Sequence, residues 1–352
     1  LAWVLLGWLV FLLIISPLQP LPELKERGYS TLWTAAFTVV SAFCNGGFAL
    51  TSDSLAGWIK VPAGYLCLAA LILAGNNAVP ILLRGLLRLA QRYGGWIGLD
   101  REGARFALDH PRQMTTHLFD RRQTRILIGI LTFINLGQYV VLLASSLPRD
   151  SSKLIGTNWE IAGAGFFQTV STRSAGFQIM DLKLLNQGML MVYIVMMYLS
   201  IAPFVSRMYI SEQTFDDSGH WKQTDESAAA AKSRFTSGFL FRHLSWLVVV
   251  LTVIAFIEDS EEELYNPDIP LFSVLFEIVS AYGNVGLSIG HPFQTCSLSG
   301  AFSVTSKLLI ISVMLLGKHR GLPAVSDITL NFQYTRLRKA LSLAQQPARR
   351  AS

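Results

Sequence analysis

Long apolar stretches alternate with shorter polar and basic segments along the whole chain. A helix needs about 20 predominantly apolar residues to cross the hydrocarbon core of a bilayer. Six stretches meet or approach this requirement: Leu1–Ile15, Val61–Leu83, Ile126–Leu147, Gly188–Val205, Phe239–Ile257 and Phe302–Leu316. The first and the last of them are short for a full crossing. The pattern predicts an all-α, polytopic membrane protein.

One short motif occurs three times between these stretches. Each copy starts with an apolar, helix-forming run, passes through small and polar residues, and ends in a glycine that precedes Phe or Leu. The glycines are Gly47, Gly176 and Gly286, and a phenylalanine lies ten residues before each of them. The two residues before each glycine are candidates for the same site: Asn45 and Gly46, Ser174 and Ala175, and Asn284 and Val285. This agreement indicates an internal repeat.

The repeated segments are too short to cross a bilayer and too apolar to lie in water, so we expect each to enter the membrane and return. Non-helical backbone at this depth is tolerated where it lines a water-filled path. Glycine adopts backbone dihedrals that turn carbonyl oxygens toward an axis, where they replace the hydration shell of a cation. The motif therefore predicts three units of helix, pore loop and helix around a pore. The alternative is that the glycines only let helices pack closely.

The composition supports a membrane location, because 51% of the residues are hydrophobic, 15% are charged, and the mean hydropathy is +0.42. Nine arginines and four acids lie between Arg84 and Arg125, and the segments Arg207–Arg242 and Lys318–Arg350 are also basic. By the positive-inside rule these segments are cytoplasmic. The acidic run from Glu258 to Asp268 is then extracellular. This topology explains the net charge of +6, and nucleic acid is not expected as a partner.

The sequence has no signature of catalysis or of a resident cofactor. It contains no phosphate-binding P-loop motif, and no nucleophile–base pair or carboxylate pair stands out. Cys44, Cys67 and Cys296 are isolated and offer no metal-ligand spacing or disulfide framework. We therefore predict that the chain is not an enzyme and needs no cofactor and no metal beyond a transported ion.

Several stretches carry a specific family resemblance. The pore-loop stretches are Ser41–Phe48, Ser171–Phe177 and Ser280–Ser288, and the others include Gly75–Arg84, Leu108–Arg112 and Gly317–Pro323. Together they resemble the Trk/Ktr/HKT superfamily of potassium and sodium transporters, in its eukaryotic, fungal-type branch. Subunits of that family contain four helix–pore loop–helix units around one path. The resemblance runs from about Leu1 to Ala340 and implies that Gly47, Gly176 and Gly286 are the filter glycines of units two, three and four.

The resemblance also implies an organisation for the whole chain. The expected parts are unit two (residues 1–90), a cytoplasmic linker (91–123), unit three (124–206), a cytoplasmic loop (207–236), unit four (237–323) and a cytoplasmic tail (324–352). The first unit, whose filter residue separates sodium-selective from potassium-permeable members of the plant branch, is missing from this arrangement. Because Leu1 is not a methionine and no polar segment precedes the first apolar run, we interpret the sequence as a fragment.

The implied function is passive conduction of potassium, with sodium as a second candidate ion, by a multi-pass protein of the plasma membrane. Membrane lipid is the other expected partner, and bacterial relatives suggest a homodimer. Lys318 corresponds to a basic residue near the pore on the last helix, and it is a gate candidate; the alternative is an ordinary cytoplasmic charge at a helix end. The competing functions are a proton-coupled secondary transporter and a non-conducting regulatory paralogue.

Arg173 lies inside a pore loop, where a cation on the axis would oppose conduction. We expect its side chain to point away from the axis and to tie the loop to neighbouring carbonyls or to an acid such as Glu277.

Overall fold

A computed structural model of the chain describes residues 2–16, 24, 27–76, 78–97, 100–109, 111, 115, 118–146, 158–199, 240–260, 270–291 and 296–319. The predicted cytoplasmic loop 207–236, the tail 324–352 and most of the acidic run between Glu258 and Asp268 lie outside these residues. All helices and loops discussed below belong to one compact unit, Leu1–His319.

The regular secondary structure in the described ranges is helical. The helices are α1 (Ala2–Ile15), α2 (Thr31–Phe43), α3 (Pro62–Gly75), α4 (Val79–Ile97), α5 (Arg101–Asp109), α6 (Arg121–Ser146), α7 (Asn158–Ser171), α8 (Gln187–Leu199), α9 (Leu240–Ser260), α10 (Leu271–Gly283), α11 (Leu298–Ala301) and α12 (Val304–His319). The residues predicted as unit two contain α1, α2 and α3. Those predicted as unit three contain α6, α7 and α8, and those predicted as unit four contain α9, α10 and α12. The middle helix of each unit, α2, α7 or α10, leads directly into one of the three glycine motifs.

These three middle helices, called the pore helices below, are short. They contain 13, 14 and 13 residues, which corresponds to about 20 Å at 1.5 Å per residue. The hydrocarbon core of a bilayer is about 30 Å thick, so a helix of this length is too short to cross it. At the start of α2, the side chain of Ser30 caps the helix by accepting a hydrogen bond of 3.2 Å from the backbone N–H of Trp33.

By length and composition, the stretch Arg121–Ser145 of α6 is long and apolar enough to cross a membrane, with a mean hydropathy of 2.1. Helices α3 and α4 pass the same test only as a bent pair. Shorter apolar helices of 10 to 17 residues make up much of the remaining described structure.

The structure divides the span expected at Val61–Leu83 into two helices. Helix α3 ends at Gly75, α4 begins at Val79, and the two helices meet at an angle of 90°. Pro80 explains the break, because proline has no N–H to donate and its ring clashes with the carbonyl four residues earlier in a continuous helix. That carbonyl belongs to Asn76, whose φ of −138° and ψ of −100° are not helical.

Neighbouring units pack in the same way at both described boundaries. The second helix of one unit contacts the pore helix of the next: α3 packs against α7, and α8 packs against α10. Each boundary contains an aromatic pair, with ring centroids 6.2 Å apart for Tyr65 and Phe167 and 5.5 Å apart for Tyr198 and Tyr282. The repeat in the sequence therefore corresponds to a repeat in the packing.

Gly163 lies at a close contact between α3 and α7. A Cβ at Gly163 would overlap the hydroxyl group of Tyr65, a residue that is 2% exposed. Overpacking of a buried contact costs about 1–3 kcal/mol, more than the gain of about 0.5–1 kcal/mol that alanine brings to a helix interior. We expect Gly163→Ala to lower the melting temperature of the purified protein in detergent.

Gly129 is the matched control, because a Cβ there would meet nothing within 4 Å. Gly129→Ala is expected to leave the melting temperature unchanged or slightly raised. The double variant Tyr65→Phe/Gly163→Ala removes the clashing hydroxyl and should recover part of the loss. Equal melting temperatures for the two single variants would contradict close packing at this boundary.

Candidate functional site

The three motif glycines share an unusual backbone conformation. Their φ angles are 69° at Gly47, 72° at Gly176 and 86° at Gly286. These values lie on the left-handed side of conformational space, which is costly for residues that carry a Cβ. A side chain at any of these positions would therefore strain the loop even if space were available.

The three glycine loops also approach one another in chain order. A Cβ on Gly47 would overlap the carbonyl oxygen of Ala175, and a Cβ on Gly176 would overlap the carbonyl oxygen of Val285. Each overlap involves the residue directly before the glycine of the following unit. A Cβ on Gly286 would have no atom of the described residues within 4 Å. The backbones of the three loops thus converge, and carbonyl oxygens rather than side chains fill the spaces next to Gly47 and Gly176.

The asparagines two residues before Gly47 and Gly286 connect their loops to neighbouring helices. Asn45 and Asn284 are in the left-handed conformation, with φ angles of 54° and 52°. The amide nitrogen of Asn45 donates to the carbonyl of Phe43 at 3.2 Å and to that of Ile72 at 3.4 Å. These bonds satisfy a carbonyl at the end of α2 and one in α3, so the amide group connects the loop to the second helix of the same unit.

Asn284 repeats this arrangement in unit four. Its amide nitrogen donates to the carbonyl of Tyr282 at 3.5 Å and to that of Met314 in α12 at 3.2 Å. Both asparagines use their amide groups to support backbone. Gly46 is exposed beside Asn45, whereas Val285, which follows Asn284, is 2% exposed.

A glycine in the second helix makes room for each of these connections. A Cβ on Gly75 would overlap the carbonyl oxygen of Phe43, and a Cβ on Gly317 would overlap the carbonyl oxygen of Tyr282. We call these two positions the glycine notches. Because the overlapping atoms belong to the backbone at the ends of pore helices, they cannot move aside as the tip of a flexible side chain can.

Unit three lacks an asparagine at this position and is held by other groups. The hydroxyl group of Ser174 donates to the side-chain oxygen of Asn45 at 2.8 Å, which joins the loops of units two and three. The hydroxyl group of Ser171 donates to the carbonyl of Phe177 at 2.7 Å. Gln168 accepts a hydrogen bond of 3.1 Å from the N–H of Ile179. Ser174 is 7% exposed and Ala175 is fully buried.

The loop after Gly286 is organised by a buried acid. Glu277, which is 6% exposed, accepts a hydrogen bond of 3.1 Å from the backbone N–H of Ser299. Ser288 accepts hydrogen bonds of 3.1 Å from the N–H groups of Gly290 and Leu298. Glu277 thus contacts Ser288 and Ser299 of its own unit. Arg173, for which Glu277 is a predicted partner, is itself 2% exposed.

Two hydrogen-bonded connections join the segments that follow the glycines. The N–H of Leu55 donates to the carbonyl of Gln178 at 2.9 Å, and the N–H of Gln178 donates to the hydroxyl oxygen of Ser54 at 3.1 Å. On the other side of unit three, the ammonium group of Lys183 donates to the carbonyl of His291 at 3.0 Å. Segments from units two, three and four are therefore linked in order.

The ends of the pore helices contribute negative potential to the loops, whereas the buried Arg173 contributes positive charge to the loop of unit three. The C-terminal end of each pore helix leads into a glycine loop, and a helix C-terminus carries a partial negative charge. Among the residues that the structure describes, there is no group of three His, Cys, Asp or Glu that could hold a metal ion. The ligands that this part of the molecule offers to a cation are backbone carbonyl oxygens, which suit a monovalent ion that sheds its water.

Lys318 lies close to the C-terminal end of pore helix α10, because a Cβ on its neighbour Gly317 would overlap the carbonyl oxygen of Tyr282. It is the last residue but one of α12, its side chain is exposed, and it follows the buried notch residue Gly317. The position is compatible both with a gate and with an ordinary charge at a helix end.

Sequence reasoning missed the residues that support the loops, including Gly75, Gly317, Ser171 and Gln168. A signal for the notches was present, because Gly75 and Gly317 follow their motif glycines by 28 and 31 residues. Each is also the glycine at the end of an apolar helical run.

The glycine notches give a direct stability prediction. Gly75→Ala or Gly317→Ala forces a Cβ against a backbone carbonyl, so we expect the free energy of unfolding to fall by about 1–3 kcal/mol. The readout is the melting temperature of the purified protein. Gly188→Ala in α8 is the control, since a Cβ there would meet nothing within 4 Å. A notch variant as stable as the control would show that the notches are wider than described.

Comparison with known proteins agrees with this architecture. A family model for cation transport proteins, TrkH, matches residues 1–333. The chain is 35% identical over 305 residues to the potassium transporter TRK1 of Candida albicans, covering 85% of this chain and 29% of that protein. It is 31% identical over 340 residues to a low-affinity potassium transport protein of Saccharomyces cerevisiae, covering 86% of this chain and 38% of that protein.

A third relative, potassium transport protein 2 of Schizosaccharomyces pombe, is 30% identical over 345 residues, covering 92% of this chain and 39% of that protein. The chain therefore spans 29 to 39% of the length of these three relatives. All three are named as transport proteins rather than enzymes. The family match, the relatives and the repeated helical units together lead to one conclusion: the chain belongs to the TrkH family of cation transport proteins and has an all-helical, polytopic membrane fold.

Proposed function

We propose that the complete protein conducts potassium through a pore in the plasma membrane, with a selectivity filter formed by the loops at Gly47, Gly176 and Gly286. Sodium is the second candidate ion. The observation that carries the proposal is the convergence of the three loops, in which the carbonyl oxygens of Ala175 and Val285 lie against the glycine of the preceding unit. The names of the relatives support potassium as the ion.

Carbonyl oxygens at the filter replace the hydration shell of the ion, and the pore-helix C-termini lower the electrostatic cost of its passage. Conduction of this kind is passive. The membrane potential drives a cation inward with about 2.3 kcal/mol per charge per 100 mV. The roles of Asn45, Ser174 and Asn284 in this proposal are to hold the loops in shape, while Gly46, Ala175 and Val285 contribute backbone.

The proposal includes a fourth unit beside Gly286. In the two described boundaries, the second helix of one unit packs on the pore helix of the next. If the same packing continues around the pore, α12 packs on the pore helix of a further unit. The second helix of that unit then packs on α2. Both faces expose large apolar side chains that such a unit would cover: Leu308 and Leu315 on α12, 60% and 57% exposed, and Leu32 and Trp33 on α2, 56% and 53% exposed.

The filter proposal is tested by growth and rubidium-tracer uptake in yeast that lacks its own potassium transport. The gene is completed with the upstream unit, and Gly176→Ser and Gly286→Ser are compared with the unchanged protein. Strain from a left-handed residue costs about 1–3 kcal/mol, so we expect uptake to fall by about tenfold or potassium/sodium discrimination to weaken. Gly188→Ser is the control, because its Cβ would lie in open space.

The two filter variants also test the fourth unit. With unit one in place, a carbonyl oxygen should face Gly286 as Val285 faces Gly176, so both variants should be equally damaging. Filter variants at the surface that match Gly188→Ser would contradict the filter assignment. An unchanged protein at the surface that moves neither ion would contradict transport and favour a non-conducting paralogue.

Substitution of Lys183, at the outer end of the proposed filter, gives a second test of the proposal. Its hydrogen bond to His291 joins units three and four, and a hydrogen bond from a charged group contributes about 1.5–3 kcal/mol. The charge itself would repel an entering cation, but salt screens exposed charges over about 10 Å at 0.1 M. We expect loss of the connection to dominate.

The expected result for Lys183→Met is a lower maximal rate of rubidium uptake with little change in KM. Lys183→Arg keeps the donor and the charge and should retain most of the rate. Lys60→Met removes an exposed lysine from the segment that follows the pore loop of unit two, and it should match the unchanged protein. A lower KM with an unchanged maximal rate would instead assign Lys183 a purely electrostatic effect.

A further inference from the structure

Helix α4 turns sharply away from α3 and is connected to the start of α6. It makes an angle of 90° with α3, so it does not continue the direction of the helix that precedes it. The guanidinium group of Arg84 in α4 donates to the backbone carbonyl of Phe119. Phe119 comes two residues before the start of α6, the longest apolar helix described. This hydrogen bond fixes the depth of α4 at the level where α6 begins.

One stripe of α4 is apolar and uncovered. Leu86, Leu89 and Tyr93 are 43%, 56% and 49% exposed, and their spacings of three and four residues put them on one face of the helix. Another face of α4 packs against α5, where Ala104 and Ala107 are buried. Within the described residues, the stripe has no protein element over it that would explain its apolar character.

One side of α4 next to this stripe is basic. Helix α4 contains Arg84, Arg88 and Arg92 and no acid. Exposed arginines of this region are Arg88, Arg92, Arg101, Arg105, Arg121, Arg122 and Arg125. Acids are present on α5 and nearby, and the carboxylate of Asp109 lies 4.0 Å from the guanidinium group of Arg105. Arg88 and Arg92 have no such partner among the described ion pairs, so α4 presents positive charge beside an apolar stripe.

At 100° per residue, Arg88 and Arg92 project to one side of the apolar stripe, while Gln91 lies on the face opposite Leu89. A helix with this distribution, at the depth of a spanning helix's end, fits the interface between lipid headgroups and acyl chains. Phosphate groups of anionic lipids have the charge that complements the arginines.

We propose that α4 lies in the cytoplasmic interface of the membrane and binds anionic phospholipid. Leu86, Leu89 and Tyr93 enter the acyl region, and Arg88 and Arg92 contact lipid phosphates. The assignment to the cytoplasmic leaflet rests on the topology of the proposed function, whereas the geometry of α4 does not depend on ion conduction. Helix α3 ends at Gly75, one of the two glycine notches. Lipid bound to α4 therefore acts on the segment that directly follows this notch.

The first test measures the depth of the helix. The complete protein, with its native cysteines replaced by alanine, carries a single cysteine at Leu89→Cys or Gln91→Cys, labelled with an environment-sensitive fluorophore. It is reconstituted in phosphatidylcholine–phosphatidylserine vesicles that contain lipids with quenchers on their acyl chains. We expect strong quenching at position 89 and weak quenching at position 91. Equal quenching at the two positions, or none at position 89, would overturn the interfacial placement.

The second test measures the role of charge. Phosphatidylserine should raise the melting temperature of the unchanged protein in nanodiscs relative to phosphatidylcholine alone. Arg88→Gln/Arg92→Gln should lose this increase. Arg27→Gln/Lys60→Gln removes two exposed basic side chains of unit two outside α4 and α5 and should keep it. An equal response of the two double variants would overturn specific binding at α4.

Two further measurements separate lipid binding from binding of a free anion, and the lipid site from ion conduction. Inorganic phosphate added to phosphatidylcholine nanodiscs should not reproduce the effect, and if it does, the site recognises a free anion instead of lipid. Rubidium uptake is measured in the same vesicles. Depth-dependent quenching without rubidium uptake would support the lipid site and contradict conduction. Rubidium uptake without depth-dependent quenching would support conduction and contradict the lipid site.

Discussion

The structure depends on one constraint, which is that backbone polar groups at membrane depth need partners when no helix supplies them. The glycine loops interrupt helices and leave backbone groups without helical partners, and surrounding side chains supply hydrogen bonds to some of these groups. Asn45 and Asn284 donate to carbonyls at the pore-helix ends and in the following helices. Ser171 donates to the carbonyl after the unit-three glycine. The carbonyl oxygens of Ala175 and Val285 lie against the glycines of the neighbouring loops.

The three units meet this constraint by different chemistry. Units two and four use an asparagine and a glycine notch, so that an amide group and a close backbone contact act together. Unit three uses Ser174, which donates to Asn45 and thereby connects its own loop to that of unit two. The three glycine loops consequently repeat one backbone shape, with φ angles of 69° to 86° at their glycines, while the interactions that support the loops differ. Variants of corresponding residues need not have corresponding effects.

Local patterns in the sequence were sufficient to predict the all-helical class and the repeated helical units. The motif is short, and glycine is the residue that its conformation demands, with φ angles of 69° to 86°. Features that depend on distant partners were not predictable in this way. The overlap of a Gly75 Cβ with Phe43 joins residues far apart in the chain, and hydropathy made Val61–Leu83 look continuous although Pro80 breaks it.

The boundary between α3 and α7 has a consequence for biosynthesis. Tyr65 belongs to a helix that leaves the ribosome well before Gly163, yet its hydroxyl lies where a Cβ of Gly163 would be. Helices α3 and α8 therefore lack a packing partner until the pore helix of the next unit has been translated. A chain that stops between α3 and α7 leaves the packing surface around Tyr65 uncovered by α7.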